Sequence, residues 1–219
     1  MRVMKKLVLL FGIVVLLTTC SWAQNIQLHR DFGNGRNYFT STVTMFKPDK
    51  WGSSFFFIDM NYDNNVVLSY WELARKVKFG DFPVNAHFEY NGGLTNNTSF
   101  GNSYLIGPSY SINTKDFSKG ITFVFLYKYI DYSINNQPHN FQITIAYYIH
   151  FMDGKMTFTG FIDFWKEKRF GDYVLLCEPQ LWYNITENLS LGSEIELSNN
   201  LISKNFDIMP TLAIKWIFK

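Results

Sequence analysis

The sequence predicts an all-β fold, a transmembrane antiparallel β-barrel of twelve strands, and three observations lead there. Apolar and polar residues alternate with period two along successive segments, and turn-forming residues separate those segments. Aromatic residues make up 19% of the chain. No apolar run in the body approaches the ~20 residues that a membrane helix needs, whereas a barrel strand crosses with ~9–11.

The first residues set the compartment. Arg2, Lys5 and Lys6 precede an apolar stretch from Leu7 to Leu17, the layout of a secretory signal peptide, and Ser21-Trp22-Ala23 offers a small-x-small cleavage site. Residues 1–23 are therefore expected to be removed, leaving 24–219 as the barrel. An alternative is lipid attachment at Cys20 within Leu17-Thr18-Thr19-Cys20, although Thr19 stands where Gly, Ala or Ser is preferred. Either route leads to the bacterial outer membrane. After cleavage Cys177 is the remaining cysteine, so no intrachain disulfide can form. Loss of Arg2, Lys5 and Lys6 reduces 20 basic residues to 17, against 18 acidic ones, which gives no electrostatic attraction to nucleic acid.

Twelve strands are predicted, near 25–32, 37–47, 52–63, 66–79, 83–93, 101–113, 120–131, 139–152, 155–168, 172–186, 189–199 and 206–218. Turn chemistry lies between them at Lys47-Pro48-Asp49-Lys50, Asp63-Asn64-Asn65, Gly80-Asp81, Asp153-Gly154, Gly171-Asp172 and Ser198-Asn199-Asn200. An even number places both termini at one end. The alternation is clearest where Phe141, Ile143, Ile145 and Tyr147 oppose Asn140, Gln142 and Thr144. Val84, Ala86, Phe88 and Tyr90 likewise oppose Asn85, His87, Glu89 and Asn91, so the carboxylate-bearing face is assigned to the lumen.

A soluble β-sandwich shows the same alternation with the apolar face inward. Outward composition favours the membrane, because Ile121, Phe123 and Phe125 lead to Tyr127 and Tyr129, rings suited to the headgroup interface. The last strand, ending Trp216-Ile217-Phe218-Lys219, carries aromatics at its final outward positions, one residue short of the usual terminal aromatic that barrel-assembly machinery reads.

The order of segments resembles the nucleoside-specific channel-forming outer-membrane proteins, the Tsx-like family. The residues that carry the likeness are His29-Arg30-Asp31-Phe32-Gly33, Tyr38 to Phe46, Trp51 to Asp59, Glu72, Tyr104 to Ser111, and Gly160-Phe161-Ile162-Asp163-Phe164. The chain is similar above all to a bacterial branch of that family with shorter loops. The resemblance implies twelve antiparallel strands, an outer-membrane location and passive uptake of nucleosides.

A twelve-stranded barrel lies between those filled by side chains and those with wide aqueous channels. A nucleoside offers a flat base to stack on and ribose hydroxyls to accept from. The alternation puts suitable groups inward: rings at Phe55, Phe57, Phe161, Trp165 and Trp182, and carboxylates at Asp59, Glu72, Asp163 and Glu178. With Phe32 from the segment near the start, these are the candidate substrate-binding residues. A competing reading has the rings fill space while the acids pair with Lys128 or Lys215 in a closed structural or adhesin-like barrel.

Catalysis has little support. His29, His87, His139 and His150 are spread singly, with no metal-ligand spacing, and there is no Gly-x-Ser-x-Gly elbow. Scattered Ser, His and Asn leave a membrane-embedded lipid hydrolase as a further alternative. No cofactor is expected; the expected partners are outer-membrane lipid, the assembly machinery, and small hydrophilic solutes such as nucleosides.

Overall fold

A computed structural model describes residues 23–63, 65–99, 101–131, 137–168 and 170–218. The signal-peptide and Cys20 readings fall on residues 1–22, outside the described residues. The strands run β1 (Ala23–Asp31), β2 (Phe39–Asp49), β3 (Gly52–Asp63), β4 (Asn65–Val77), β5 (Val84–Thr95), β6 (Ser103–Asn113) and β7 (Lys119–Ile130). They continue as β8 (His139–Phe151), β9 (Met156–Lys166), β10 (Tyr173–Cys177), β11 (Gln180–Asn184), β12 (Leu189–Asn199) and β13 (Phe206–Phe218). The described residues form no helix.

From β1 to β9, and from β12 to β13, consecutive strands pair antiparallel, β10 and β11 each pair antiparallel with β9 and β12, and β1 also pairs with β13, from Gln24↔Phe218 to Asp31↔Thr211. The sheet is thus closed on itself, so it has no edge strand. β10 and β11 are two halves of one stave, because both lie between β9 and β12, so the barrel has twelve staves.

The single strand expected over 172–186 is therefore interrupted, and Pro179 is the reason. It has no N–H to give the ladder. The pairing nevertheless stays in register across the break: Leu176↔Asp163 on one side is followed by Gln180↔Thr159 on the other. Glu178 N donates to Phe161 O at 3.1 Å, and Ile195 N to Pro179 O at 3.1 Å. The turn expected at residues 47–50 is also shorter than its composition suggests. β2 carries Pro48 opposite Ser53 and ends at Asp49.

The register sorts every strand into two faces. The outer face is apolar and bare, as in Leu28, Ile106, Phe125, Leu191 and Leu212, the last 59% exposed. Apolar side chains this open over a whole wall need lipid rather than water around them. Aromatic contacts band the end opposite the termini: Tyr104 lies 5.5 Å from Tyr90 and 6.5 Å from Tyr129 between ring centres, and Phe164 stacks on Tyr173 at 5.5 Å. Trp216 and Phe218 face outward at the terminal end. The packed apolar residues lie inside instead, where Leu105, Val124 and Leu126 cluster across β6 and β7.

Candidate functional site

Chain-length alternation carries polar side chains inward from all twelve staves, and pairing sets which of them meet. On β2 and β3, Thr42 is opposite Asp59 and Thr44 opposite Phe57. On β3 and β4, Phe55 is opposite Ala74, Phe57 opposite Glu72, and Asp59 opposite Tyr70. The result is a half-buried ladder of rings, with Phe55 and Phe57 6.0 Å apart and Phe57 and Tyr70 5.9 Å apart. Carboxylates flank it. Tyr70 OH donates to Glu72 Oε1 at 2.7 Å, and Thr42 Oγ1 donates to Asp59 Oδ1 at 2.5 Å.

The opposite wall is tighter. Trp182 is completely buried, its Nε1 donating to Gln180 Oε1 at 2.9 Å, and Lys215 Nζ lies 4.0 Å from its ring centre. His29 meets the same ring edge-on at 6.0 Å and donates from Nε2 to Gln27 Oε1 at 3.0 Å. Trp165 is buried under Lys128, whose Nζ lies 4.7 Å from the ring centre and donates to Gln142 Oε1 at 2.8 Å. Asp163 is buried beside it and accepts from Thr144 Oγ1 at 2.5 Å.

Neighbouring staves hold inward carboxylates against amides: Glu72 lies opposite Asn91, whose Nδ2 donates to Glu89 Oε1 at 3.0 Å, and Glu194 lies opposite Gln180, whose Nε2 donates to Glu194 Oε2 at 2.5 Å.

At the end opposite the termini, loop 32–38 turns inward. Arg36 donates to Glu196 through two nitrogens at 2.7 and 3.0 Å and to Asp31 at 3.2 Å, a fork suited to paired carboxylates. Asp31 Oδ1 also accepts from the Gly33 amide at 2.8 Å. Ion pairs among the described residues join Arg36 to Asp31 and Glu196, Arg75 to Asp49, and His87 to Glu89; none includes Lys128 or Lys215.

The structure places Phe55, Phe57, Asp59, Glu72, Phe161, Asp163, Trp165, Glu178 and Trp182 on the inward face, as alternation required. It does not bring Phe32 there. Asp31 points inward, so the next side chain points out; the Phe32 ring is 54% exposed and its amide donates to Pro210 O. Trp165 and Trp182 are inward but sealed behind lysines, so of the five candidate rings Phe55, Phe57 and Phe161 keep an open surface. Sequence reasoning missed Tyr70, which alternation with Glu72 would have placed inward, and Arg36, for which a loop offers no periodic signal.

A groove of about 620 Å³ opens elsewhere, among Leu73, Phe88, Tyr104, Ile106 and Tyr127. These five side chains face outward, on the lipid-facing wall. Among the described residues no serine hydroxyl bonds a histidine: the imidazoles pair with Thr211, Gln27, Glu89, Tyr127 and Thr157. No group of three His, Cys, Asp or Glu among them closes to metal-binding distance.

Among solved structures the chain is similar to the NanC porin, with a TM-score of 0.59 at 12% identity over 89% of this chain and 99% of that one. It also aligns with the outer membrane protein Omp33 of Acinetobacter baumannii, with a TM-score of 0.48 at 14% identity over 90% of this chain and 98% of that one. At these identities the NanC likeness speaks to the shared barrel fold. A search of curated proteins returns no match. A family model described as "Domain of unknown function (DUF5020)" matches residues 23–218, the whole barrel, and the chain belongs to that family.

Proposed function

We propose that this protein is a bacterial outer-membrane channel for passive, selective diffusion of small hydrophilic solutes, with nucleosides as the solutes its rings and carboxylates suit. The observation that carries this reading is the ladder of Phe55, Phe57 and Tyr70, half-buried on the lumen wall beside Asp59 and Glu72. Rings offer a stacking surface to a flat base, and the carboxylates accept from sugar hydroxyls. Neither residue type needs a cofactor or a covalent step for this. Lys128 and Lys215 each rest on a tryptophan against the wall.

Single-channel conductance of the refolded protein in a planar bilayer tests the reading, titrated with adenosine, thymidine and an uncharged sugar of similar size. We expect nucleoside to reduce the current more than sugar does, and Phe57→Ala or Asp59→Asn to weaken that block. Stable insertion without conductance would favour the closed barrel; equal block by sugar would remove the nucleoside preference.

A further inference from the structure

We propose that the outer wall carries a site for one anionic phospholipid, which sets its phosphate on Arg75 and lays an acyl chain in the groove that leads away from it across β3 to β7. The inference rests on the membrane barrel and not on the channel reading.

The register puts this groove outside the barrel. Ladder pairing aligns Phe56, Leu73, Tyr90, Tyr104 and Tyr129 in one row across these strands, and Ser54, Arg75, Phe88, Ile106 and Tyr127 in another. Both rows have the parity opposite to the inward Phe55 and Glu72, so both face the membrane. All ten residues line the groove of about 620 Å³. Its other lining residues on β3 to β6 are Phe55, Ala74, Glu89 and Leu105, each of which stands in its strand between one member of either row and turns its side chain to the lumen. The backbone of that middle row is therefore the floor, and the two outward rows are the walls.

Stagger of the staves gives the groove its direction. Ser54 lies near the start of β3, at the end that carries the termini, whereas Tyr129 lies beside the far end of β7. The groove climbs obliquely from the terminal edge of the wall to the tyrosine band. Five strands about 4.8 Å apart give it a length of about 19 Å, enough for a chain that crosses one leaflet, or about 15 Å, at a slant. Leu73, Phe88 and Ile106 along it are 44–49% exposed and offer such a chain an apolar bed.

The terminal end of the groove supplies a headgroup contact. Arg75 Nη1 donates to Asp49 Oδ2 at 2.6 Å and to Ser54 Oγ at 3.0 Å, and Nη2 donates to Asp49 Oδ1 at 3.0 Å. Asp49 thus takes the end of the guanidinium. The side formed by Nε and the second Nη2 hydrogen has no partner among the described residues, and the side chain is 32% exposed. Two parallel N–H groups in a rigid fork match two oxygens of a phosphate.

Charge and position decide the class of lipid. Lys47 is directly opposite Ser54 on the same face, and Lys50 lies over Trp51 in the adjoining turn, so three cations stand with Asp49 at this corner. A basic surplus at the membrane surface favours a headgroup of net negative charge over a zwitterionic one. The connection from Asp49 to Gly52 is short, as periplasmic turns are, and the leaflet on that side is phospholipid.

The test is native mass spectrometry of the refolded protein in detergent micelles, titrated with dioleoyl phosphatidylglycerol or dioleoyl phosphatidylcholine. We expect one phosphatidylglycerol to be retained at concentrations several-fold below those needed for phosphatidylcholine. Arg75→Gln should abolish that preference, and Ile106→Trp, which fills the groove, should weaken retention of both lipids several-fold. Lys119→Gln, exposed on β7, should change neither, and far-ultraviolet circular dichroism shows that each variant keeps its strands. Equal retention of the two lipids by the unaltered protein, or a preference that survives Arg75→Gln, would overturn the site. Competition by glycerol phosphate at the same concentration as the lipid would show an anion site without a chain and overturn the lipid. A protein dimer in place of the lipid adduct would give the groove to a second copy of the chain and overturn it too. None of these results depends on conductance, so the channel reading stands or falls by its own experiment.

Discussion

Lys215 Nζ lies 4.0 Å from the centre of the Trp182 ring, although β13 and β11 do not pair and β12 runs between them. The contact reaches over Gly192, where a Cβ would come within 2.4 Å of the Trp182 ring. Lumen packing in this barrel is thus made between second neighbours as well as first.

Trp182→Ala should be the most destabilising single change on that wall, costing about 3–5 kcal/mol for a fully buried ring. Lys215→Met keeps the aliphatic stem and should cost about 0.5–2 kcal/mol, the worth of the cation–π contact. Urea unfolding of the protein refolded into lipid vesicles would measure both. Wild-type stability in Trp182→Ala would mean that the ring does not support the wall.

Arg36 holds the loop over the mouth through Glu196 and Asp31, whose side chains are 14% and 4% exposed. Arg36→Met should cost about 2 kcal/mol, between the value of a surface pair and that of a buried one. The double change Arg36→Met with Glu196→Gln should recover part of the loss, because Asp31 is then the one carboxylate of the two left without the guanidinium. Protease sensitivity of the loop, compared across the three proteins, reads the outcome; equal sensitivity in all would show that the pair does not fasten the loop.

Gly160 faces the break in the tenth stave, where an added Cβ would meet Glu178 O at 2.4 Å and Pro179 Cα at 3.0 Å. Gly160→Ala should destabilise the barrel by about 1–3 kcal/mol through forced backbone shifts. Gly154→Ala is the comparison, in open space but at φ +79, where the cost is about 1 kcal/mol of backbone strain. Both are read by the same urea titration, and the order of the two is the point at risk.

Asp116, in the turn between β6 and β7, has a carboxyl lowered to about 2 by hydrogen bonds from the Thr114 hydroxyl and from the Ser118 amide and hydroxyl. A depressed folded value stabilises the turn above the unfolded carboxyl value, about 4, and the effect fades as pH falls toward 2. Amide exchange at Ser118 should quicken over that acid range and should lose this dependence in Asp116→Asn.

Much of the fold was legible because a two-residue period survives any error in where a strand ends. Expected and observed bounds agree at 52–63, 189–199 and 206–218, and elsewhere differ by one or two residues at an end, save where Pro179 divides the tenth stave. Inward and outward faces followed from the same parity, which is why Phe57, Glu72 and Asp163 fall on their expected sides. Phe32 is exposed because it follows the inward-pointing Asp31, and Trp165 and Trp182 lie deep in the wall because parity assigns a side and says nothing about depth.

The sequence by itself determined an alternating, aromatic-rich chain that can satisfy its backbone in lipid only by closing on itself, and it determined which residues face the lumen, since that depends on local parity. Tertiary structure alone decided which lumen residues meet. Closure of β1 on β13 and the stagger of the staves set distances across the barrel between residues far apart in the chain. Those distances put Arg36 on Glu196 and Lys215 on Trp182.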